Sequence, residues 1–118
     1  MFVPKSILKN MPKNELNTLM DEVFFSVLPV TERTQGMLFD TLISNPSINK
    51  SIPFEEVRVP TIIFNSIDDP ATVIEGARTL DRKIPNSELN EFKTGGHLTI
   101  GRDEEIKQKI DLFIHNEL

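Results

Sequence analysis

Apolar residues in the first part of the chain recur with a helical period. Leu16, Leu19, Met20, Val23, Phe24, Val27 and Leu28 fall on one face of a helix that starts after Pro12 and is stopped by Pro29. Phe25 lies beside this stripe, so the helix is apolar over more than a narrow seam and needs cover on two sides. A second helix is expected to begin at the N-cap candidate Thr31, to carry Met37, Leu38, Thr41 and Leu42, and to end at Asn45-Pro46. Together these predict a helical hairpin with a very short connection. Pro46, Pro53 and Pro60 then mark an ordered connector, which places the main boundary between a segment 1–52 and a segment 53–118.

Past the connector the period changes. Thr61-Ile62-Ile63-Phe64-Asn65 is a short β-branched and aromatic run, the pattern of a strand buried on both faces in a parallel sheet. Asp68-Asp69-Pro70 breaks it, and Val73, Ala77, Leu80 and Ile84 predict a helix that closes at Ile84-Pro85-Asn86-Ser87. Ser87 to Phe92 alternates polar and apolar residues, as in a strand with one wet face, and Gly95-Gly96-His97 makes the next turn. A last helix opens with Asp103, Glu104 and Glu105, which suit the positive end of its dipole, and carries an inner stripe of Ile106, Ile110, Phe113 and Ile114. The second segment therefore reads β-α-β-α. A right-handed crossover makes its two strands parallel.

Composition narrows the chemistry. The 118 residues are one domain's worth of chain. With 13 Lys and Arg against 18 Asp and Glu, the net charge of −5 provides no basic field for a nucleic acid. Without cysteine there is no thiolate, and two histidines are too few for a multi-histidine metal cage, so any chemistry must come from oxygen and imidazole. No apolar run approaches the roughly 18 residues of a membrane span, and the first residues lack the order of a signal peptide, so the expected location is the cytoplasm.

Loops leaving the C-terminal ends of parallel strands share one edge of the sheet, where open α/β sheets place their sites. Asp68 and Asp69 follow the first strand and His97 follows the second. Adjacent strands stand about 4.8 Å apart, so a carboxylate and the imidazole come within reach, and a histidine oriented by a carboxylate is equipped as a general base. Asp-Asp-Pro is also good turn chemistry in its own right. His115 reads as a partner of the last helix's C-terminal end, Arg78 as a solvated residue, and the 103–105 cluster as helix-start electrostatics.

The blocks Val59 to Pro70, Ala77-Arg78, Ile84-Pro85-Asn86-Ser87 and Gly95-Gly96-His97-Leu98, in that order, resemble the C-terminal part of an α/β-hydrolase-fold enzyme. The resemblance implies a partial hydrolase fold, with residues from about 12 to 45 as the end of a helical cap. It implies Asp69 as the triad acid, with Asp68 as the alternative acid, and His97 as the triad base. Leu28-Pro29-Val30, Gly36-Met37 and Ser44-Asn45-Pro46 are similar to a bacterial subgroup of these hydrolases. Intact relatives use serine attack on an ester, a lactone or a carbon–carbon bond without a metal or organic cofactor, so the resemblance implies no cofactor. The nucleophile elbow G-x-S-x-G is absent: no serine of this chain has glycines two residues away on both sides. Ser66 stands where many relatives have glycine, and its use as an unusual nucleophile would require a geometry unlike the family's. The expected chain is thus a hydrolase-like piece that is inactive alone. The other expectation is a non-catalytic interaction module that pairs with a second copy, or with a separately made N-terminal half, across the open edge of its first strand.

Overall fold

The structure, a computed structural model, describes residues 3–45 and 52–117. The chain divides into two compact units: Met1–Lys9 together with Phe54–Leu118, and Asn10–Pro53. The first nine residues thus group with the second half of the sequence, although the proline pattern put the division at 52/53.

In the Asn10–Pro53 unit, helix α2 (Lys13–Leu19) runs on through a π-helical turn (Met20–Phe24) and a 3-10 turn (Phe25–Val27). Leu28 and Pro29 are extended, with ψ of 151° and 134°, and end this run. Helix α3 (Val30–Phe39) starts one residue ahead of Thr31, with Pro29 as its cap, and continues as a π-helical turn over Asp40–Ser44. Pro46 lies outside the described residues. None of the described side chains in these helices is buried. Met37, Leu38, Phe39, Leu42 and Ile43 are all more than half exposed. The periodic stripe forms its helices, but two helical runs present too little surface to one another to bury it.

The other unit contains all but the last residue of helix α1 (Lys5–Asn10), the wholly buried Val3, and a small α/β domain. Strands β1 (Thr61–Ser66) and β2 (Ser87–Phe92) are parallel, in a register that runs from Thr61 opposite Ser87 to Ser66 opposite Phe92. Helix α4 (Ile74–Lys83) is the crossover between them, and α5 (Asp103–Glu117) follows β2. Side chains alternate between the faces of a sheet, so the partners of each strand residue assign the helices. Arg78 and Asp81 of α4 bond Glu91 and Ser87, on the odd-numbered face. The Arg102 guanidinium, just ahead of α5, lies over the Phe92 ring on the even-numbered face. The two helices therefore flank opposite faces.

Four details depart from the sequence expectation. Among the described residues the sheet has two strands, so the apolar residues of β1 are half-buried, and its fully buried positions are the polar Asn65 and Ser66. Val73 is the exposed cap of α4 and not part of its inner stripe, which is built on Ala77 and Ile84. Asn90, expected on a wet face, is buried and donates to Glu88 Oε1 at 2.9 Å. Arg78 is no free surface charge: it grips Glu91 with two bonds of 2.6 and 2.8 Å and Glu75 with a third, and the bond from Arg78 holds the Glu91 carboxyl below the usual carboxylate range.

Amides of β1 point alternately to β2 and away from it. Thr61 N donates to Asn86 O and Ile67 N to Phe92 O, both at 2.8 Å, so the odd-numbered residues serve the pairing. Ile62 and Phe64 turn their main-chain groups to the other edge, which no strand of the described residues occupies. Ile110 and Ile114 on α5 are likewise exposed. No helix among the described residues is long and apolar enough to cross a membrane.

Candidate functional site

Both strands end at the same edge, and the loops that leave them meet there. After β1 the chain turns sharply, with Asp69 N donating to Ser66 O at 3.1 Å. The Asp69 side chain then folds back on its own loop: Oδ1 accepts from Ala71 N at 2.7 Å and from Thr72 N at 3.0 Å. This is the local bonding that makes aspartate a turn former, and it fixes the carboxylate before any partner arrives. The second oxygen, Oδ2, is left to face the neighbouring loop.

There it meets His97, whose Nδ1 lies 3.0 Å away. The carboxylate is almost entirely buried and the imidazole is 41% exposed, so one end of the pair is dry and the other reachable. Burial pushes the Asp69 carboxyl up, but the bond from Thr72 N, the bond from His97 and the bond from Ala71 N outweigh it and hold the group below its ordinary value. An ionised Asp69 can only accept, so Nδ1 carries the proton and, in the neutral ring, Nε2 has the lone pair. Thr72 Oγ1 stands 3.5 Å from the same Nδ1.

The turn that carries His97 depends on two glycines. Gly95 has φ of +145° and Gly96 of +64°. A Cβ on Gly95 would stand 2.9 Å from Ser66 Oγ and 3.0 Å from Thr99 Cα, so the loop closes over the end of β1 only because that carbon is missing. Ser66 is 1% exposed beneath it, and its hydroxyl has no hydrogen-bond partner among the described residues. A serine so enclosed is not presented to a substrate. The unsatisfied hydroxyl should cost stability, and Ser66→Ala is expected to raise the urea midpoint, with a gain of about 1 kcal/mol, because the desolvated donor disappears while the Cβ packing stays.

Of the residues singled out in the sequence, Asp69 and His97 are brought together. Asp68 is directed elsewhere: its Oδ1 accepts from Gly96 N at 2.9 Å. His115 is bonded within α5, with Nδ1 2.6 Å from Asp111 O, and does not join the pair. Among the described residues no group of three or more His, Asp or Glu side chains is placed to hold a metal ion. A cleft of about 260 Å³ between β2 and α5, lined by Glu88, Lys109 and Phe113 among others, includes neither member of the pair. The roles of Thr72 and of the Gly96 amide were not read from the sequence. Thr72 carries a weak signal, because the third residue after a turn aspartate is where its carboxylate finds an amide.

No family model matches the chain, and neither a curated protein nor a solved structure matches it.

Proposed function

We propose that Asp69 and His97 are the acid and the base of an α/β-hydrolase-type site whose serine nucleophile is supplied from outside these 118 residues. The observation that supports this reading is the 3.0 Å contact between a buried carboxylate and an exposed imidazole at the C-terminal edge of two adjacent parallel strands. The order of the parts fits it too: acid after one strand, base after the next, then a closing helix.

The chemistry follows from the protonation states. When a serine hydroxyl attacks the carbonyl carbon of an ester or lactone, its proton passes to Nε2 of His97 as the new C–O bond forms. The imidazolium so created donates from Nδ1 to Asp69, whose negative charge stabilises it. The proton on Nε2 then passes to the leaving oxygen as that C–O bond breaks, and a water molecule repeats the sequence to release the acid. No step needs a metal ion or an organic cofactor.

Fluorophosphonates react quickly only with an activated serine, so they test where the nucleophile resides. The chain alone is expected to give no stoichiometric adduct by intact mass. An adduct that His97→Ala abolishes would place a working nucleophile within these residues and overturn the reading.

A second reading, a non-catalytic module that assembles with another copy of itself, is favoured by the open β1 edge and by the exposed apolar residues of α3 and α5. Sedimentation on dilution separates the two. A chain that stays monomeric and cooperatively folded at nanomolar concentration needs no second copy.

A further inference from the structure

We propose that Asp68 is a positioning residue: its carboxylate latches the Gly96 amide and so sets the backbone from which His97 reaches Asp69, an inference that rests on the pair reading above. Two consecutive aspartates of one loop hold two consecutive residues of the other. Asp68 Oδ1 takes Gly96 N at 2.9 Å, and Asp69 Oδ2 takes His97 Nδ1 at 3.0 Å. The first bond grips main chain and the second grips the ring that this main chain carries.

The need for a latch comes from the glycines. Phe92 ends β2 five residues before His97, and the two residues just ahead of the histidine are glycines at positive φ, whose backbone no side chain restricts. The loop ties itself on its far side, where Ile100 N donates to Gly95 O at 3.0 Å and Thr99 N to Gly96 O at 3.3 Å. Those bonds shape the loop but do not tie it to the loop that follows β1. The Asp68 bond does so, from the residue next to the acid, so movement of one loop carries the other with it. A base must stay within hydrogen-bond reach of its orienting acid, and a misplacement of about 1 Å can cost on the order of a hundredfold in rate. A carboxylate on a backbone N–H is among the stronger tethers a side chain can offer.

The experiment compares the whole chain with its Asp68→Ala and Asp68→Asn variants. It reads hydrogen exchange at the Gly96 amide and the proton NMR signal of His97 Nδ1–H. In Asp68→Ala the Gly96 amide should exchange about tenfold faster or more, and the Nδ1–H signal should broaden or vanish although Asp69 is intact. Asp68→Asn keeps an acceptor oxygen and should retain both properties. Asp68→Ala with both readouts unchanged would overturn the latch. So would Asp68→Asn behaving like Asp68→Ala, since charge and not the bond to Gly96 would then be what matters. Should Asp68→Ala fail to fold, the wild type and Asp68→Asn still decide, because a Gly96 amide unprotected in the wild type contradicts the proposal. A signal present in the wild type, lost in Asp69→Asn and untouched in Asp68→Ala removes the latch alone. A signal already missing from the wild type removes the pair beneath it.

Discussion

Gly95→Ala is expected to destabilise the α/β unit by about 3 kcal/mol, the sum of a steric and a backbone penalty. The new methyl would stand 2.9 Å from Ser66 Oγ and 3.0 and 3.2 Å from the Cα and carbonyl carbon of Thr99, and a φ of +145° is itself strained for any residue with a side chain. A side-chain oxygen can be removed and a main chain cannot, so the double variant Ser66→Gly with Gly95→Ala should recover only part of the loss. Urea unfolding of the two single variants and the double measures this coupling. Full recovery would mean that the Thr99 contact costs nothing, and no loss at all would mean that the His97 loop does not close over β1.

Removing the Asp69 carboxylate should cost a similar amount for a different reason. In Asp69→Ala the amides of Ala71 and Thr72 and the Nδ1 of His97 lose one common acceptor, and the expected destabilisation is about 2–3 kcal/mol. Its pH dependence has a definite sign. The folded carboxyl is held below its ordinary value, so the unfolded chain binds the proton more readily. The contribution is complete above the unfolded pKa of about 4 and disappears as the pH falls through the lower folded value. The stability gap between wild type and Asp69→Ala should therefore narrow as the pH falls below about 4. A gap that widens across that acid range would contradict the arrangement described for Asp69.

The parts of the fold visible in the sequence are those written in local chemistry. Thr61 to Asn65 reads as a short strand, Asp68-Asp69-Pro70 reads as a turn, and the stripe built on Ala77 and Ile84 names the inner face of α4. Because the crossover rule then makes the strands parallel, it also brings the loops of Asp69 and His97 to one edge. What could not be read depends on partners distant in sequence. Arg78 looks like any solvated arginine until β2 brings Glu91 beside it, and Asn90 looks like a wet position until it is enclosed on its own face. Two adjacent aspartates are equivalent as letters. Only the path of the loop sends Asp68 to a backbone amide and Asp69 to the imidazole. The helical stripe of residues 16–28 gave the right helix, but periodicity states which residues share a face and not what covers them.

The acid–base pair stands or falls on the proton of His97. Nitrogen-15 NMR of the imidazole near neutral pH, with His115→Gln to separate the two histidines, reads the tautomer directly. Where the ring is neutral, Nδ1 is expected to carry the proton and Nε2 the lone pair, and that preference should be lost in Asp69→Asn, whose amide group can present a donor to Nδ1. A neutral ring protonated on Nε2 in the wild type, or a tautomer indifferent to Asp69→Asn, would contradict the pair.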